Sequence, residues 1–168
     1  LGPRGTPILR DPETITQADL VLMESTYGDR NHRDRADTIR ELGDILDEAW
    51  RGGGNVLIPA FAVGRTQEML YWFARHWDDW QMSRWRIFLD SPMASKVVKV
   101  YDHHHALFDA DAQAVWRGTP NPFRLPNLHV TGSPEESMAI NRIEGGAIII
   151  AGNGMANGGR ILHHLKHN

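Results

Sequence analysis

The sequence predicts an α/β fold, a doubly wound, mainly parallel sheet flanked by helices. Short apolar runs at residues 20–23, 55–59, 86–89 and 147–151 each end abruptly in polar or small residues, as interior strands do. Segments with helical spacing of apolar residues lie between these runs, so strand, loop and helix alternate. The length of 168 residues, 41% hydrophobic and 23% charged, suits one domain with a sizeable core.

Taken in order, residues 1–16 carry Gly2, Pro3, Gly5, Pro7 and Pro12 and read as a connector, leaving 17–168 as the domain proper. The run LVLM at 20–23 reads as a first interior strand that delivers Glu24 to the sheet edge, before a turn at Gly28. Helical spacing over 34–50 places Ile39, Leu42, Ile45, Leu46, Ala49 and Trp50 on one stripe, and three glycines at 52–54 stop it. NVLIP at 55–59 is the next strand, followed by a helix over about 64–77 with Met69, Leu70, Trp72, Phe73 and Trp77 inward. RIFL at 86–89 leads through Asp90-Ser91-Pro92 into a helix at 93–104 with Val97, Val98 and Tyr101 as core positions. A short helix at 110–116, a surface loop at 118–127 and a short strand at 128–131 come next. Ser133, Pro134 and Glu136 form a helix start, with N-cap, first position and third position in sequence. AIIIA at 147–151 is the last strand, and 161–167 the last helix.

Composition excludes several classes. No apolar run approaches the ~20 residues of a membrane span, and no charged-then-apolar leader is visible. The expected location is the cytoplasm, with no membrane partner. With no cysteine there is no disulfide and no thiolate metal site. A net charge of −3 gives no global footprint for nucleic acid. Arg35, Arg65, Lys96, Lys99, Arg160 and Lys166 leave room for a local basic cleft, against the plainer reading of solvated helix faces.

Parallel strands exit at one edge, where ligands bind, so Glu24, Arg65, Asp90, Ser91, Asn153 and Arg160 are expected to converge. Gly64-Arg65-Thr66 and Gly158-Gly159-Arg160 share a design, glycine then arginine at a helix start, which suits a phosphate. Arg65, Thr66, Ser91, Asn153, Gly159 and Arg160 are therefore the candidate phosphate ligands. Glu24 is the candidate catalytic carboxylate, against a salt bridge to Arg30, Arg33 or Arg35. The glycines of 152–159 match neither the dinucleotide fingerprint nor the P-loop, and no serine sits in a nucleophile elbow. The run His103 to His105 and the i, i+4 pair His163 and His167 lack an acidic third ligand, so no metal site is expected.

These segments resemble the β-CASP domain of RNA-processing metallo-β-lactamase-fold nucleases, bacterial relatives of the cleavage-and-polyadenylation endonuclease. The matching pieces are Glu24 to Gly28, Ile58 to Glu68, Leu89 to Ala94, Tyr101 with Leu107 to Asp109, Ser133 to Ser137, Gly152 to Met155 and Gly158 to His167. They cover essentially the whole chain in order. Asn153 is a departure, since similar bacterial sequences often carry Ser there. The resemblance puts Glu24 on the family's acidic motif A, where it orients a catalytic histidine outside this chain. It implies zinc as the cofactor of the full-length enzyme and RNA as its partner. The H-x-H-x-D-H motif, a further His and an Asp that hold zinc are absent here. In relatives that Asp directly precedes a pair like Leu1-Gly2, and the remaining motif histidines lie beyond a segment like 163–167.

The expected function is thus the RNA-binding cap of a zinc-dependent ribonuclease that hydrolyses phosphodiesters. The metallo-β-lactamase domain would belong to the same polypeptide, and this chain alone would be inactive. The alternative is a stand-alone phosphate- or nucleotide-binding α/β domain without hydrolytic activity. A homo-oligomer is left open.

Overall fold

The computed structural model describes residues 2–168, so the reading of Leu1 lies outside the described residues. Strands β1 (Val56–Pro59), β2 (Arg86–Asp90), β3 (Leu128–Val130) and β4 (Ala147–Ala151) form one four-stranded sheet, ordered β1-β4-β2-β3. All pairings are parallel, with Ile150 in register with both Ile58 and Leu89. This is the α/β sheet that the alternation of runs predicts.

Side chains on a strand alternate between faces, and the alternation sorts the core into two layers. Ile87, Leu89, Ile148 and Ile150 pack with residues from α1 (Arg35–Arg51), α2 (Arg65–Arg75), α3 (Pro92–His103) and α4 (Ala110–Arg117). Ala147, Ile149 and Ala151, with Leu57 and Phe88, face α5 (Pro134–Ile140) and α6 (Ile161–His167). Every residue of β4 is buried, as a central strand covered on both faces must be.

Local chemistry sets the helix starts. The side chains of Asp34, Ser91 and Asp109 accept from Asp37 N, Ala94 N and Ala112 N at 3.1, 3.2 and 2.7 Å. Ser133 and Glu136 form the reciprocal capping box, both bonds at 3.2 Å. Helix α2 ends at Arg75, short of the expected residue 77. There His76 stacks between Trp72 and Trp80, with ring centroids 5.8 and 4.5 Å away.

One expected element is overturned. Residues 20–23 form no strand, and Leu20, Val21, Leu22 and Met23 are 76, 52, 85 and 70% exposed. An apolar run becomes a strand only where a neighbouring backbone takes its N–H and C=O groups and a layer covers its side chains. The outer strands β1 and β3 accept no further partner from this segment. The connector is anchored instead at Ile8, which is buried and accepts from Asp109 N at 3.0 Å beside an antiparallel bridge between Leu9 and Phe108. Among the described residues, no helix is long and apolar enough to cross a membrane.

Candidate nucleic-acid interface

Strand β2 ends in Asp90. Alternation puts its carboxylate on the same face as Phe88, under α5 and α6, and it is 0% exposed. A bare buried carboxylate is costly, and here donors meet it from all sides. Oδ1 accepts from Arg160 Nη1 at 2.6 Å and from the Thr131 hydroxyl. Oδ2 accepts from the Ser137 hydroxyl at 2.6 Å and from His164 Nε2 at 2.7 Å. Burial pushes the carboxyl pKa up, but the bonds from His164, Ser137, Thr131 and Arg160 outweigh it and hold Asp90 well below the usual carboxylate range. The other ring nitrogen of His164 lies 2.8 Å from Asn141 Oδ1, so the imidazole is held at both ends.

This network locks Arg160. Its Nη1 also donates to Thr131 Oγ1 at 3.2 Å, while Nε and Nη2 have no partner among the described residues. The side chain is 23% exposed, so the guanidinium is pinned by one nitrogen with the remaining N–H groups turned outward. The loop before it depends on Gly159, at φ +76°, where an added Cβ would strike the Gly152 carbonyl. Asn153 N donates to Gly158 O at 3.2 Å and Ile161 N to Gly152 O at 3.0 Å, folding the loop back on itself.

The other expected ligands lie as follows. Arg65, the first residue after the β1 exit loop, is exposed and pairs with Glu68 at 2.8 Å. Thr66 is buried and donates its hydroxyl to Phe61 O at 2.8 Å. Ser91 caps α3. The Asn153 side chain donates to Asn157 at 2.9 Å, and its Oδ1 is buried without a partner. Asp90 thus closes β2, and Arg65, Ser91, Asn153 and Arg160 follow strand exits, all on one edge of the sheet.

Glu24 does not join them. Without a strand at 20–23 nothing carries it to the sheet edge; it is exposed, just before the turn at 26–29, and accepts from Thr26 N at 2.8 Å. That backbone bond holds its pKa below the ordinary value. The alternative salt bridge is not formed either. Arg30 pairs with Asp29, Arg33 with Glu41, and Arg35 donates to Gly5 O.

Sequence reasoning missed Thr131, Ser137, Asn141 and His164. A signal for His164 existed, because it stands four residues after Arg160 and so shares its helix face. The histidine pair that sequence spacing did single out behaves differently, with His167 Nδ1 2.7 Å from the His163 carbonyl. His105 stacks on Trp116 at 3.6 Å.

Residues 66–168 match the Beta-Casp domain family. The chain belongs to that family. A Thermus thermophilus ribonuclease is 47% identical over 99% of this chain, which covers 38% of that protein. An endoribonuclease of Saccharomyces cerevisiae is 28% identical over 84% of the chain, and a transcription termination factor of a Lokiarchaeum species is 31% identical over 87%. This Beta-Casp chain spans 18 and 23% of the length of those two proteins. It is thus a Beta-Casp domain of the kind found in RNA-processing nucleases, and the relatives do not favour the stand-alone nucleotide binder.

Zinc does not fit the described residues. No group of three or more His, Cys, Asp or Glu among them is placed to hold a metal ion. The buried Asp90–His164 pair is already bonded to a guanidinium and two hydroxyls, so a cation there would have to displace Arg160.

Proposed function

We propose that this chain forms the RNA-binding wall of a zinc-dependent ribonuclease, whose metal ligands and metallo-β-lactamase domain lie elsewhere in the same polypeptide. The observation that supports this best is the pinned guanidinium of Arg160. One nitrogen is fixed on Asp90 and the others are free at the strand-exit edge, which suits bidentate recognition of a phosphate. Arg65 adds a second cation, since its exposed pair with Glu68 is weakly held and exchanges readily. Thr66, Ser91, Asn153 and Gly159 shape the loops around both arginines. Glu24, ionised at neutral pH and exposed just before a turn, would orient a catalytic histidine of the other domain and favour its protonated form.

Two variants of the full-length polypeptide test this. Arg160→Lys keeps a cation on Asp90 but loses the fork that reaches the phosphate. RNA affinity should fall, and the salt slope should drop by about 0.7 for one phosphate no longer neutralised. Unchanged affinity across a salt series would remove Arg160 from the cleft. Glu24→Gln should keep RNA affinity and zinc content, lose about 10²–10⁴ in rate, and move its alkaline activity limb to lower pH. Lost zinc would instead place Glu24 in support of the metal shell. The purified 168-residue chain should by itself cleave no RNA.

A further inference from the structure

We propose that Phe61 is a stacking platform for a base of single-stranded RNA, set along the same edge as Arg160. The inference rests on the RNA reading of that edge and adds a second subsite to it.

Phe61 is 53% exposed, although an aromatic ring of this size is usually largely buried. Its backbone is not loose. Ala60 N extends the β1–β4 pairing by donating to Ala151 O at 3.0 Å. Beyond it, Thr66 holds the Phe61 carbonyl at 2.8 Å and Gln67 Nε2 the Ala62 carbonyl at 3.0 Å. Gln67 Oε1 accepts from Gly64 N at 2.7 Å, and both anchoring side chains are buried at 1% and 0% exposure. A rigid turn therefore presents the ring.

One side of that ring is covered by backbone. A Cβ placed on Gly154 would lie 2.9 and 3.0 Å from Phe61 Cδ2 and Cε2, so the ring rests on the bare glycine of the β4 exit loop. Val63 and Met155, in the exit loops of β1 and β4, and Met93, in the first turn of α3 after β2, are 63, 70 and 67% exposed and extend an apolar rim. Arg160, bound to Asp90 at the end of β2, lies two strand spacings from β1, roughly 10 Å of lateral distance. An open aromatic surface beside a guanidinium with free donors matches one ligand chemistry, a flat base joined to a phosphate. The pattern is that of single-stranded nucleic acid, read without regard to base identity.

The test uses the full-length polypeptide and single-stranded RNA oligonucleotides, intact or with one abasic position moved along the strand. Phe61→Ala should weaken binding of intact RNA by about 5- to 150-fold, Phe61→Trp should preserve it, and the salt slope should stay unchanged. Removing one base should weaken binding to the wild type and cost nothing further in Phe61→Ala. Gly154→Ala, which displaces the ring without touching charge, should weaken binding in the same base-dependent way. Intact RNA bound equally by wild type and Phe61→Ala would overturn the platform, as would an abasic penalty equal in both; the ring would then be covered by protein. Loss of affinity in Arg160→Lys alone would sink the platform and leave the RNA reading standing. Indifference of both variants would remove the RNA reading itself.

Discussion

Two apolar runs of the same character meet opposite fates in this chain. Ile148, Ile149 and Ile150 are 0, 0 and 1% exposed, whereas Leu20 and Leu22 are 76 and 85% exposed. Composition does not separate them, since both are short, aliphatic and closed by a polar or glycine-containing turn. What separates them is a neighbour. β4 is paired on both sides, by β1 and β2, and covered on both faces by helices. Residues 20–23 have neither pairing nor cover among the described residues. Burial energy belongs to a pair of surfaces and not to a sequence segment.

The contrast is sharpest at Asp90, the charged end of the paired region. Asp90→Asn leaves Arg160 without its counter-charge and His164 Nε2 without its carboxylate partner in a buried site. It should destabilise the domain by about 3–5 kcal/mol, read from urea unfolding at neutral pH. Because the folded carboxyl is held below its unfolded value, its contribution is fully present above about pH 4 and lost as pH falls below that. The wild type should therefore lose stability more steeply than the variant between about pH 4 and pH 2. Parallel curves would mean that the network adds nothing to folding.

Next in size, Ile149→Ala in the covered layer should cost about 2–5 kcal/mol through lost burial and a residual cavity. Leu22→Ala should change stability by less than about 0.5 kcal/mol, because the side chain is already in water. A cost at Leu22 comparable to that at Ile149 would show that the two runs share a core. Hydrogen exchange gives the mildest probe. Amides of β4 should exchange only through global unfolding, and those of 20–23 with little protection.

Much of the fold was legible in advance, and for a local reason. The Ser133–Glu136 capping box joins atoms three residues apart, and helical geometry brings such atoms together whatever surrounds them. The four paired strands carry their own signal in apolar runs between turn residues. The site was legible only in part. Placing Arg65, Ser91, Asn153 and Arg160 after strand exits needed no more than the order of elements. The partners that fix Arg160 were not readable that way.

The sequence by itself determined the helix starts, the strand runs and the parity that turns Asp90 to the face of Phe88, because each follows from backbone periods over a few residues. Only the tertiary structure decided that Asp90 meets Thr131, Ser137, Arg160 and His164, which stand 41, 47, 70 and 74 residues away. It alone decided that residues 20–23 stay exposed and leave Glu24 exposed before a turn. Contacts of that separation depend on strand order and on which surfaces are covered, and no local period encodes either.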